Sequence, residues 1–60
     1  MTADEIEKAS IDDLLLRFES LSAQKSQGYA SGHQLFIDTV NTSVIPEMNL
    51  IVNEIRSRVK

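Results

Sequence analysis

The chain has 60 residues, no cysteine, one proline and a formal net charge of −3 at pH 7. One domain at most fits this length, and its core is marginal in size. Disulfides and Cys-based zinc frameworks are excluded, and the acidic balance gives no electrostatic footprint for a phosphate backbone. A small core without a covalent or metal staple favours oligomerisation or docking on a partner.

Charge is distributed unevenly. Asp4, Glu5, Glu7, Asp12, Asp13 and Glu19 in the first half face only Lys8, Arg17 and Lys25, whereas residues 32–60 are balanced. No apolar run approaches the roughly 18 residues of a membrane span, and the first residues lack the pattern of a secretory signal. The expectation is a soluble, cytoplasmic protein without membrane contact.

In chain order, residues 1–9 read as an acidic tail or frayed turn. Thr2 and Glu5 have capping-box spacing, yet Ile6 is out of phase with the apolar stripe that follows. That stripe is Ile11, Leu14, Leu15, Phe18 and Leu21, spaced by threes and fours as on one helix face. Ser10 with Asp13 outlines a cap, and Asp12 and Asp13 suit the positive helix end. The helix is expected over 11–26, with Gly28 as its stop and a glycine turn over 28–32.

Ser31 and Gln34 open another capping box, after which Ile37, Val40, Val44, Met48, Ile51, Ile55 and Val59 keep one phase. Pro46 lies inside this run. Interior proline removes a backbone hydrogen bond and disfavours helix at the preceding residue, which argues for two helices, 32–44 and 46–59. The unbroken phase and the lack of turn residues favour one helix, 32–59, kinked at Pro46.

Chemistry-bearing constellations are sparse. His33 is the single histidine and has no second His or Cys with which to build a common metal or nucleophile set. Asp12 and Asp13 diverge by about 100° on a helix and suit a solvated first turn. The sequence Gly28-Tyr29-Ala30-Ser31-Gly32 lacks a phosphate-loop pattern and reads as a turn, with Tyr29 packing across its end or anchoring a partner. Arg56, Arg58 and Lys60 suit the negative helix end better than a DNA contact. Asn41 and Asn53 border the apolar stripe, where Asn41 either meets solvent or fixes register with a partner.

The fold class is therefore all-α, an antiparallel helical hairpin with residues 10–60 as one domain. The second helix exceeds the first by about 18 Å, which leaves its C-terminal apolar residues uncovered. A homodimer forming a four-helix bundle resolves this; the alternative is a compact three-helix bundle in which Pro46 turns the chain. The expected function is a non-enzymatic interaction module that binds itself or a partner helix through Phe36, Val40, Val44, Met48, Ile51, Val52, Ile55 and Val59. Assembly subunit, co-chaperone and inhibitory regulator all fit, with no cofactor or metal. The alternative is a three-helix DNA-binding regulator presenting Arg56, Arg58 and Lys60 outward.

Overall fold

The computed structural model describes residues 1–59, and among them it is all-helical. In order come α1 (Ala3–Lys8), α2 (Ile11–Ala30), α3 (Gln34–Thr39), a π-helical segment (Val40–Val44) and α4 (Ile45–Arg58). Thr39, Val40, Val44 and Ile45 all keep right-handed helical dihedrals, so α3, the π segment and α4 form one continuous rod. Arg17 bonds to Glu47 and Tyr29 bonds to Asn41. The rod therefore runs antiparallel to α2. Lys60, which closes the basic cluster, lies outside the described residues.

Helicity passes through Ile45 and Pro46 without interruption. Pro46 sits in the first turn of α4, and the Ile45 N–H donates to the carbonyl of Val40, five residues back. A π turn widens the helix just where the proline ring would press on the preceding turn. Thr39 and Thr42 donate their hydroxyls to the carbonyls of Leu35 and Asp38 at 3.0 and 2.8 Å, bonds of the kind that bend helices.

Three expectations are corrected. Residues 1–9 are not a tail. Thr2 and Glu5 complete their capping box, with each side chain accepting from the other residue's N–H, and Ile6 is buried. The phase argument against Ile6 fails because Ala9 and Ser10 are extended, so α1 and α2 are separate helices with independent phase. Second, α2 does not stop at Gly28 but continues to Ala30. Gly28 is a point of close approach, where an added Cβ would press on Val40 of the rod. The reversal is confined to Ser31–His33, with Gly32 at φ 69°, a conformation that suits glycine. Ser31 donates to the Gly28 carbonyl and accepts from the His33 N–H, so it closes α2 instead of capping α3.

The third correction concerns length. The rod is 25 residues and α2 is 20, and α1 folds back onto α4. Ile51, expected to lack cover, is 0 % exposed. Met48, Val52 and Ile55 are half-buried, while Val59 is exposed. The core is Ile6, Leu14, Leu21, Val40, Val44 and Ile51.

What fastens α1 is the Arg58 guanidinium. It donates to the carbonyls of Ile6 (3.0 Å), Glu7 (2.9 Å) and Ala9 (2.6 Å), and to Glu54 (2.9 Å). The last carbonyls of a helix have no partners of their own, and here a side chain 49 positions away along the chain supplies donors. Five N–H groups in a rigid fork let arginine do this where lysine cannot.

Two expectations follow. Arg58→Ala should destabilise by about 1–3 kcal/mol and abolish amide-exchange protection across α1 while protection in α2 persists; Arg58→Lys should restore it only in part. Leu14→Ala should cost about 2–5 kcal/mol in urea unfolding, against less than about 0.5 kcal/mol for Leu16→Ala, because Leu14 is 0 % and Leu16 65 % exposed.

Candidate functional site

Two helices in contact leave a face on either side of their seam. One side is marked by Arg17 of α2 and Glu47 of α4, which meet at 2.6 and 3.4 Å and are joined by the amino group of Met1 at 3.0 Å from Glu47. This is the side on which α1 lies, with Ala3, Ile6 and Glu7 beside Leu50, Glu54 and Ser57 of α4. Beyond the reach of α1 a groove of about 310 Å³ remains on the same side, lined by Gln24, Gln27, Gly28, Phe36 and Val40 among others.

Among the described residues, nothing covers the other side. At about 100° per residue, Ile11, Leu15 and Phe18 flank Leu14 on the edge of α2 opposite Arg17. On α4, Met48, Val52, Ile55 and Val59 flank Ile51 on the edge opposite Glu47. Because the helices are antiparallel, these two edges adjoin and form one apolar face. Leu15 is 51 % and Val59 71 % exposed, Ile11 is also exposed, and Phe18, Met48, Val52 and Ile55 are half-buried. Tyr29 and Asn41 close one end of the face, with the Tyr29 hydroxyl donating to Asn41 Oδ1 at 2.8 Å. Exposed Asp12 and Glu19 border it along α2, and exposed Arg56 borders it along α4.

The eight partner-binding residues expected from the sequence are thereby divided. Val40, Val44 and Ile51 point into the core and have no surface to offer. Met48, Val52, Ile55 and Val59 lie on the open face. Phe36 lies on the opposite side, in the groove, with its ring edge-on to His33 at 5.8 Å. Ile11, Leu15 and Phe18 of the α2 stripe also belong to the face, although the sequence does not mark them as partner-binding. The available signal was the breadth of the α2 stripe, wider than contact with a single helix uses.

No group of three or more His, Cys, Asp and Glu residues among the described residues is placed to hold a metal ion. His33 is exposed at the N-cap of α3, where it makes no side-chain capping bond. Asp13 receives attention only at its backbone, which donates to Ser10 Oγ at 3.1 Å. Arg58, expected outward in the DNA-binding alternative, is instead turned onto α1. Among the described residues no helix is long and apolar enough to cross a membrane. Comparison of the chain with protein-family models, with curated proteins and with solved structures produced no match.

Electrostatics are concentrated on the α1 side. The hydrogen bond from Arg17 holds the Glu47 carboxyl below its ordinary range, against the opposing effect of burial and with help from the Met1 amino group. Glu5 is lowered as well, through its bond with the Thr2 backbone N–H and then through the Thr2 hydroxyl. A carboxyl lowered by folding stabilises above its unfolded pKa of about 4.3 and ceases to do so as pH falls through the folded value. Stability should therefore decline below about pH 5. Glu47→Gln should lower stability at neutral pH and make that acid decline shallower, as read by urea midpoints from pH 7 to 3, with Glu5 accounting for part of what remains.

Proposed function

We propose that this chain is a non-enzymatic helix-docking module whose operating surface is the open face of α2 and α4, and that its simplest assembly is a dimeric four-helix bundle. The observation that carries this reading is an apolar edge on each of two adjoining helices, left uncovered among the described residues on one side while α1 covers part of the other. Each side chain moved from exposure to full burial stabilises an assembly by about 1.5–3 kcal/mol. Helix-on-helix recognition uses anchors three and four residues apart along one helix face, and Met48, Val52, Ile55 and Val59 stand at i, i+4, i+7 and i+11.

The elongated shape agrees with it. The radius of gyration is 12.3 Å, against about 10.4 Å for a compact chain of this length. A single layer of two antiparallel helices, thickened by one short helix, has the proportions of half a bundle. An assembly subunit, a shield for a partner's apolar helix and an occluding regulator would all use the same surface.

A photoreactive benzoylphenylalanine at Val52 tests the reading against the same group at Leu35, which is 73 % exposed and lies off the face. Illumination of the purified protein and of an extract of its native cells should give protein adducts from position 52 and not from 35. Adducts from 35 alone, or from neither, would overturn the proposal.

A further inference from the structure

We infer that the occupant of the open face is a second copy of this chain, related by a two-fold axis parallel to the helices, so that each α2 lies on the partner's α4. The inference rests on the helix-docking reading, commits it to self-assembly and adds the orientation of the two copies.

Area and charge carry it. The molecule measures 38 × 17 × 16 Å, so one long face offers about 650 Å² in projection. Two such faces together leave room for the ~1,000 Å² that a specific interface should clear. An isologous dimer of flat faces has its axis in the plane of contact, and only two orientations keep the helices aligned. With the axis across the helices, α2 packs antiparallel on the partner's α2. Superposing the apolar residues around Leu15 then sets Asp12 against Glu19 of the partner subunit, twice, and like charges meet. With the axis along the helices, α2 packs antiparallel on the partner's α4 and every level of the molecule is preserved. Arg17 and Glu47 stand at one level. Counting from them places Asp12 about one helical turn from the partner's Arg56, within reach of a guanidinium, and places Leu15 level with the partner's Asn49. Asp12 on the border of α2 thus meets Arg56 on the border of the partner's α4. Charge selects the second arrangement.

The chain has no cysteine, so introduced thiols report without ambiguity. Sedimentation equilibrium should give a dimer. A short bis-maleimide should link Leu15→Cys to Asn49→Cys when the two variants are mixed, and should not link Leu15→Cys to itself. Should either substitution weaken the dimer, the charges provide a second measurement: Asp12→Lys should raise the dimer dissociation constant about tenfold, Arg56→Glu similarly, and the double variant should recover. Asp13→Lys, equally exposed in the same first turn but off the face, should leave it unchanged. A Leu15→Cys self-link, or tighter dimers from Asp12→Lys, would overturn the orientation. A monomer at all concentrations would overturn the second copy. Position-52 adducts to a different protein would then leave helix docking intact, and their absence would end both.

Discussion

A seam between two helices has two sides, and among the described residues the short α1 covers part of one. This constraint organises the whole molecule. α2 and the rod bury Leu14, Leu21, Val40, Val44 and Ile51 between them, and that is all a two-helix contact can hide. The six-residue α1 contributes Ile6 to one side and nothing to the other. A side chain on the flank of either helix is therefore half in contact with its own chain and half available. The open face is the geometric remainder of two long helices packed with one short one.

Arginine chemistry determines which side is covered. Arg58 reaches from the end of the rod to three carbonyls around the end of α1, and Arg17 holds Glu47 near its start. Arg58 fastens the end of α1 to this flank, and the Met1 amino group on Glu47 fastens its start. Arg56, two residues before Arg58, projects elsewhere and borders the uncovered face. Basic residues close in sequence thus serve different surfaces, and reading them as a single cluster, whether as a helix-end cap or as a nucleic-acid contact, obscures this.

Pro46 has a related role. A proline that ended the helix would have turned the last segment back on the first two and sealed the apolar face within one chain. The π turn before it absorbs the missing donor, and the rod continues with Val44 and Ile51 still on one line. The Thr39 and Thr42 hydroxyls bond to carbonyls in the same region. Continuity through this point keeps the molecule open.

Local signals in the sequence were enough for the helical class, the α2 start at Ser10, the capping-box spacing of Thr2 and Glu5, and the persistence of the rod through Pro46, because caps and apolar phase act between residues three or four apart. Three features were decided only by tertiary structure. Ile6 reaches the core because the extended link at Ala9 and Ser10 resets helical phase, so its position relative to Leu14 depends on how the helices dock. Gly28 lies within α2 because Val40 of the rod needs the space a Cβ would fill. The division of the apolar stripes into core and open face depends on where Arg17 meets Glu47, which fixes the rotation of each helix about its axis. Periodicity specifies a stripe and its width, and only the docking partner determines which edge of that stripe is hidden.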